Sequence, residues 1–348
     1  MLRAAIACGL AIAGCSPAEV SRPAPEAAAI VTRGLDPAAM RTVVGTAERL
    51  PRLQALIVAR HGETLAEHRL RGPALDRPVN IKSASKSVLA ALAGIAIERK
   101  VLGGVDQPIA SILRADLPAA PDPRLAQVTI GNLLTMRAGL GRTSGSNYGA
   151  WVASPNWVRY ALAQPFADDP GGRMLYSTGS SHLLSAALTR ASGRSTHELA
   201  TDWLAEPLDI TLPPWPRDPQ GIYFGGNDML MSPRAMLRFG ELYRQGGVID
   251  GVRILPAGWV EQSWQPRTAS PYNGYGYGYG WFAKQTGGRA VRFAWGYGGQ
   301  MIFVVPDLAL TVVMISDPTP APRATSHLPA LHALLDSGII PAAIKGAG

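Results

Sequence analysis

A hydroxyl and an amine stand three residues apart, immediately before an uncharged apolar run. Ser83 and Lys86 lead into Val88–Ile97, which carries no charged side chain and predicts a helix buried on all sides. Three residues are nearly one helical turn, so both side chains project from the same face. Burial lowers the pKa of a lysine toward neutrality, and a neutral amine can take the proton of a serine hydroxyl. The segment therefore predicts a serine nucleophile with a lysine base.

A structural interpretation of the same segment is also open. Ser83 would then cap the helix and Lys86 would lie in a solvated first turn. The helix dipole disfavours a lysine there, which speaks mildly against that interpretation. Of the five lysines in the chain, Lys86 alone follows a serine at this distance. The spacing by itself leaves both interpretations standing.

The N-terminus has the pattern of a bacterial lipoprotein signal. A positive start (Met1–Arg3) precedes an apolar stretch, Ala4–Ala13, that is too short to span a bilayer. The segment ends Ile-Ala-Gly-Cys15, which resembles a lipobox, and Ser16 resembles the sorting pattern of outer-membrane lipoproteins. We expect a signal peptide over residues 1–14 and, over 15–35, a lipidated Cys15 with a Pro/Ala-rich tether. The protein would face the periplasm from the cell envelope, held to the membrane by its lipid. An ordinary secreted protein cleaved nearby is the alternative.

Composition narrows the classes of partner and cofactor. The net charge of +8 comes from scattered arginines without a basic cluster, so no nucleic-acid partner is expected. Cys8 lies in the segment to be removed and Cys15 is used by the lipid, so no disulfide is expected. His197-Glu198 lacks a second histidine at the zincin spacing, and no cofactor or metal is expected. No G-x-S-x-G segment supports an α/β-hydrolase.

The rest of the chain predicts one α+β domain over residues 36–345, with a helical subdomain at about 126–224. A hairpin over Leu53–Ala59 and Thr64–Leu70 opens the domain. Helices are predicted at Thr129–Met136, Trp157–Ala163, Ser181–Ala191, Thr196–Leu204, Ser232–Gln245 and Leu328–Leu335. Closing strands are predicted at Tyr275–Phe282, Ala290–Ala294, Met301–Val305 and Leu310–Ser316. Strands from both ends can then form one antiparallel sheet flanked by helices.

Four further segments, in order, make the chain similar to the serine β-lactamase and penicillin-binding superfamily. The similarity covers about residues 40–335 and is strongest to the class C-like branch of carboxypeptidases, esterases and 6-aminohexanoate-oligomer hydrolases. The segments are Asn132–Leu140 (resembling "LLTHTSGL"), Asp169–Thr178 (resembling "PG…F.YSN"), Phe224–Asp228, and Gly296–Gln300 before a strand. The resemblance implies a β-lactamase/transpeptidase-like fold and a catalytic role for Ser83 and Lys86.

The resemblance also assigns roles to other residues. Tyr176 takes the family's proton-shuttling position, and Thr178 stands where the family usually has asparagine. The third motif aligns with Gly296-Tyr297-Gly298, which lacks the family's cation. The backbone N–H groups of Ser83 and Gly299 would form the oxyanion hole. The implied substrate-binding residues are Thr178, Asn227, Tyr297 and Gly298, with Asp228 and Trp295 as further pocket candidates. Asn227 and Asp228 are alternatively a helix cap, and Trp295 a core residue.

These residues predict a serine hydrolase that cleaves a small-molecule ester or small amide through an acyl-enzyme. The missing third-motif cation disfavours β-lactams. Lys284-Gln285-Thr286-Gly287 resembles that motif, but it has one residue too many and is expected in a turn between strands. A D,D-peptidase or β-lactamase acting on peptidoglycan-like amides is the nearer alternative, with Lys284 or Arg292 supplying the cation. A catalytically silent envelope-binding lipoprotein is the further one. The sequence does not predict an oligomeric state.

Overall fold

The computed structural model describes residues 34–319 and 326–346. The predicted signal peptide, Cys15 and nearly all of the predicted tether lie outside the described residues. Their assignment, like the domain boundaries, remains a prediction.

The described residues form twelve strands, eight of which belong to one antiparallel sheet. The strands are β1 Leu53–Arg60, β2 Glu63–Arg69, β3 Val79–Asn80, β4 Leu230–Met231, β5 Val248–Ile249, β6 Val252–Arg253, β7 Thr268–Ala269, β8 Gly276–Tyr277, β9 Phe282–Thr286, β10 Arg289–Gly296, β11 Gln300–Val305 and β12 Leu310–Ser316. The order in the large sheet is β2-β1-β12-β11-β10-β9-β8-β7, so the N-terminal hairpin pairs with the last described strand. Two small sheets, β3-β4 and β5-β6, lie outside it.

Helices cover both faces of the large sheet and fill the middle of the chain. They are α1 Pro37–Glu48, α2 Ser85–Glu98, α3 Ile109–Ile112, α4 Ile130–Leu134, α5 Tyr148–Val152, α6 Trp157–Leu162, α7 Thr178–Ser192, α8 Thr196–Ala200, α9 Glu206–Leu208, α10 Pro233–Arg244, α11 Trp259–Trp264, α12 His327–Ala333 and α13 Ile340–Lys345. A π-helical stretch, Thr201–Ala205, joins α8 to α9, and another, Leu334–Ile339, joins α12 to α13. By length and hydropathy His327–Lys345 could cross a membrane, but half of it is buried within the domain.

Two hydrophobic cores lie on opposite faces of the sheet. One surrounds α2, whose side chains are buried from Ser85 to Ala96, and extends to α7 and α10. The other packs α1 and the C-terminal helices against the sheet. The uninterrupted apolar character of α2 thus corresponds to a helix enclosed on every side, as the sequence predicts.

The predicted layout of hairpin, helical middle and closing strands is confirmed. The prediction of a single strand over Tyr275–Phe282 is wrong, because β8 ends at Tyr277 and β9 begins at Phe282. Gly280 lies in the turn between them with φ +72°, and a Cβ there would be 2.7 Å from the Lys86 carbonyl oxygen. The backbone of Lys86 therefore approaches this turn so closely that only a residue without Cβ fits at Gly280.

Candidate active site

Ser83 lies in a tight turn rather than in the first turn of α2. A 3₁₀ turn over Lys82–Ala84 precedes the helix, which begins at Ser85. Lys82 has φ +51°, an uncommon conformation for a side chain with Cβ. Its N–H donates to Asn80 Oδ1 (2.9 Å), and its Nζ lies 2.9 Å from Asp228 Oδ1. These contacts hold the turn that presents the serine hydroxyl.

Lys86 is buried directly beneath that hydroxyl. Its side chain is 3% exposed, and its Nζ lies 2.9 Å from Ser83 Oγ and 2.6 Å from the carbonyl oxygen of Gly226. Burial lowers the pKa of Lys86 to about 7. The alternative of a solvated lysine beside a capping serine is wrong: the lysine is enclosed, and the N-cap position of α2 belongs to Ala84.

A buried histidine–carboxylate pair supports the Gly226 carbonyl. The N–H of Gly225 donates to His182 Nδ1 (3.2 Å), and His182 Nε2 lies 2.9 Å from Asp218 Oδ2. Since Nδ1 accepts a hydrogen bond, the proton of a neutral imidazole lies on Nε2 and points at the carboxylate. Neither side chain is exposed to solvent. The loop that carries the Gly226 carbonyl is therefore attached, through the neighbouring Gly225, to a buried pair.

Tyr176 closes the other side of the lysine. Lys86 Nζ lies 5.0 Å from the centre of the Tyr176 ring, which is stacked on Phe282. Burial raises the pKa of Tyr176 to about 12, although a hydrogen bond with Ser83 acts in the opposite direction. At neutral pH the phenol therefore keeps its proton, while a large fraction of Lys86 has lost one. In this pair the amine can accept a proton and the phenol can donate one.

The Ser83 hydroxyl opens into a cavity of about 510 Å³. Its described lining is mostly aromatic and hydroxyl-bearing, with one arginine and no carboxylate: Arg52, Ser83, Tyr176, Ser270, Tyr272, Asn273, Phe282, Trp295, Tyr297, Gly298, His327 and Leu328. The predicted Tyr297 and Gly298 line this cavity, and Trp295 is confirmed as a pocket residue rather than plain core. Tyr297 is 60% exposed and stands at the mouth.

The geometry does not support the predicted role of Gly299. Its N–H donates to the Gly296 carbonyl oxygen at 3.1 Å and is used within the turn between β10 and β11. Among the described residues, no acceptor takes the N–H of Tyr297 or of Gly298, and both residues belong to the cavity wall that also contains Ser83. These two N–H groups are therefore better candidates than that of Gly299 for the second oxyanion donor.

Thr178 and Asn227 lie outside the cavity lining. The Thr178 hydroxyl is buried against Ser144 Oγ (3.0 Å) at the start of α7, so it has a structural contact in place of the predicted substrate contact. Asn227 donates to the Tyr148 hydroxyl at 3.0 Å. The alternative of Asn227 and Asp228 as a helix cap is wrong, because Ser232 caps α10.

Neither proposed replacement for the family's cation reaches the cavity. Lys284 lies within β9 rather than in a turn, and its Nζ is 2.6 Å from Asp336 on the C-terminal helical segment. Arg292 is half-buried on β10, and burial lowers the pKa of its guanidinium. The cation that does line the cavity, Arg52, immediately precedes β1. Sequence reasoning missed it because no local motif surrounds it.

The comparisons with known proteins agree with this architecture. The family described as Beta-lactamase matches residues 46–336, whereas no protein of curated function matches the chain significantly. A Bacillus anthracis protein assigned as a 6-aminohexanoate-dimer hydrolase superposes with a TM-score of 0.70 at 18% identity, over 84% of this chain and 79% of its own. The hydrolase EstCE1, which has promiscuous acyltransferase activity, superposes with a TM-score of 0.68 at 17% identity, over 85% of this chain and 98% of its own. A penicillin-binding protein homologue from Caulobacter crescentus superposes with a TM-score of 0.68 at 16% identity, over 86% of this chain and 99% of its own. At these identities the likeness shows a shared fold.

Proposed function

The chain belongs to the Beta-lactamase family, and on that basis we propose that it is a serine hydrolase of esters or small amides that works through a Ser83 acyl-enzyme. The observation that carries the proposal is the contact of Lys86 Nζ with Ser83 Oγ at 2.9 Å in a buried site. A lysine whose pKa is about 7 is a competent general base at neutral pH. The expected β-lactamase/transpeptidase-like fold and superfamily membership are both confirmed.

Acylation begins when the Ser83 oxygen bonds to the substrate carbonyl carbon and its proton passes to Lys86. The carbonyl oxygen becomes an oxyanion, which the N–H group of Ser83 and that of Tyr297 or Gly298 would stabilise. The carbon–oxygen or carbon–nitrogen bond to the leaving group then breaks. The leaving group takes a proton from the Lys86–Tyr176 pair, and the acyl group stays on Ser83 as an ester.

Deacylation repeats the sequence with water as the nucleophile. Lys86 accepts a proton from water as its oxygen bonds to the acyl carbon. The Ser83 oxygen leaves and recovers a proton, so the site returns to its starting state. Tyr176, protonated because its pKa is raised to about 12, suits the donor role in both half-reactions.

The cavity favours an extended acyl substrate over a β-lactam. Neither Lys284 nor Arg292 lines it, so neither replaces the family's third-motif cation beside Ser83. The Bacillus anthracis and EstCE1 proteins that share the fold are named as a 6-aminohexanoate-dimer hydrolase and a hydrolase with promiscuous acyltransferase activity. Ester and small-amide cleavage is consistent with those names.

Burst kinetics test the proposal. Purified residues 16–348 and the Ser83→Ala variant would be mixed with p-nitrophenyl acetate, p-nitrophenyl butyrate and nitrocefin. We expect an ester burst that the variant lacks, with little nitrocefin turnover. Strong nitrocefin turnover would favour the β-lactamase or D,D-peptidase alternative. No burst and no labelling of Ser83 by a fluorophosphonate would favour a silent binding protein.

We also propose that Cys15 carries a lipid that holds the enzyme on the periplasmic side of the envelope. The proposal is supported by the sequence pattern alone. Metabolic labelling with radioactive palmitate, compared with Cys15→Ser, tests it directly. Absence of label from the wild-type protein would contradict the proposal.

A further inference from the structure

A single arginine supplies the positive side-chain charge of the described cavity lining. Arg52 lies just before β1. Its Nε and Nη2 donate to the carbonyl oxygen of Asp317 at 3.1 and 2.6 Å, which fixes the plane of the guanidinium. The Asp317 carboxylate accepts from the N–H of Thr319 instead, at 2.8 Å. Within the described residues no acceptor takes Nη1 of Arg52, so this edge of the group is available.

Arg52 helps to lower the pKa of the Asp317 carboxylate, but that carboxylate lies outside the described cavity lining. His327 lines the same wall with its Nε2 2.9 Å from Ser316 Oγ, and burial together with Arg52 lowers its pKa. The histidine is therefore neutral at neutral pH. No carboxylate belongs to the described lining. A fixed, partly buried guanidinium facing an aromatic cavity is well suited to bind a carboxylate.

Sheet geometry separates this charge from the nucleophile. Ser83 lies against the end of β10, whereas Arg52 precedes β1, and β11 and β12 lie between these strands. Three strand spacings place the backbone of Arg52 about 14 Å from the end of β10. The arginine side chain extends toward Gly298 and so shortens the distance from its guanidinium to Ser83. A ligand that touches both groups must be extended, with several atoms between its reacting carbonyl and its anion.

We propose that Arg52 is a specificity-determining residue for substrates that carry a carboxylate at the end of an extended chain, away from the scissile ester or amide. The inference builds on the proposed function of Ser83. The aromatic side chains of Trp295 and Tyr297, which line the same cavity, would contact the apolar spacer.

Two series of esters test the proposal. One contains mono-p-nitrophenyl esters of dicarboxylic acids from succinate to suberate, and the other contains butyrate esters of ω-hydroxy acids of matching lengths. Each is compared with its uncharged methyl-ended analogue. We expect kcat/KM to favour the anionic compound by about tenfold or more in one series, and only for the longer spacers.

Variants then assign the preference to one residue. Arg52→Gln should abolish the ratio between anionic and uncharged substrates, and Arg52→Lys should keep part of it. Arg49→Gln removes an exposed arginine three positions away and should leave the ratio unchanged. Thermal melting checks that the Arg52 variants remain folded. If Arg52→Gln unfolds, the ratio of kcat/KM between anionic and uncharged substrates in folded Arg52→Lys still tests the proposal.

The outcomes separate this proposal from the one on which it builds. Ser83 acylation by uncharged esters, without a length-dependent anionic preference in either series, would overturn the role of Arg52 alone. A preference that persists in Arg52→Gln would also overturn it. Absence of acylation by every ester would overturn the proposed function itself.

Discussion

Lys86 Nζ lies 2.6 Å from the carbonyl oxygen of Gly226, a residue 140 positions later in the chain. The same nitrogen lies 2.9 Å from Ser83 Oγ. A neutral amine in this position can donate one hydrogen to the carbonyl while its lone pair faces the serine hydroxyl. The Gly226 peptide thereby orients the lone pair on which the proposed mechanism depends.

The first prediction concerns pH. Because burial lowers the pKa of Lys86 to about 7, the base is protonated below that pH and free above it. The kcat/KM for an uncharged ester should therefore rise with pH and level off with an apparent pKa of about 7. Between that value and the ordinary 10.5, the unfolded chain binds more protons than the folded one, so the contribution of Lys86 to the unfolding free energy also rises with pH. A flat profile from pH 5 to 9 would contradict the role of Lys86.

The second prediction concerns the Gly226 peptide. Gly226 has φ +77°, and an added Cβ would lie 2.5 Å from Ser181 Cβ and 2.9 Å from Lys86 Cγ. Gly226→Ala should displace the lysine and lower kcat by about two orders of magnitude. Gly246→Ala is the matched control, with φ +64° and open space around the new carbon. It should cost about 1–2 kcal/mol of stability and leave kcat unchanged. Equal kcat values in the two variants would count against this account.

The third prediction concerns the pair behind that peptide. His182→Leu leaves the Asp218 carboxylate buried without its imidazole partner, whereas Asp218→Asn removes the charge and keeps a hydrogen-bonding group. Denaturant unfolding should show a loss of about 3–5 kcal/mol for His182→Leu and a smaller loss for Asp218→Asn. If both variants unfold at the wild-type midpoint, the pair does not stabilise this loop.

The fourth prediction concerns Tyr176. Removing its hydroxyl in Tyr176→Phe should lower kcat by about two orders of magnitude with a much smaller change in KM, because proton donation matters in the transition state. Tyr277→Phe is the matched control: its ring lies 6.3 Å from that of Tyr176, and its buried hydroxyl has no hydrogen-bond partner within the described structure. Wild-type kcat in Tyr176→Phe, measured by steady-state ester hydrolysis, would remove the tyrosine from the mechanism.

Local pattern predicted the parts of the molecule that local chemistry determines. The apolar run after Lys86 predicted an enclosed helix, and alternating or apolar runs predicted the hairpin and the last strands. The strand predicted over Tyr275–Phe282 failed because glycine spacing does not distinguish a strand from a tight turn. The turn lies against the backbone of Lys86, and this contact between distant parts of the chain is not encoded in the local pattern.

The cavity shows the same division between local and tertiary information. The residues proposed to react, Ser83, Lys86 and Tyr176, stand in recognisable segments of the sequence. Arg52 and His327 do not, because strand pairing and loop packing bring them to the site from distant parts of the chain. Gly226 stands in the recognisable segment Phe224–Asp228, but its contact with Lys86 depends on loop packing. The predicted donor Gly299 is one position from Gly298 and two from Tyr297, the better candidates, because the hydrogen bonds within a turn are not visible in sequence.

The most direct test of the central claim is peptide mass mapping of the enzyme quenched during turnover of p-nitrophenyl butyrate. The account predicts one butyryl group on the peptide that contains Ser83, and none on that peptide in Ser83→Ala. Ser111→Ala, which alters an exposed serine elsewhere, should be labelled like the wild type. A butyryl group on another residue, or turnover by folded Ser83→Ala at the wild-type rate, would contradict the acyl-enzyme mechanism.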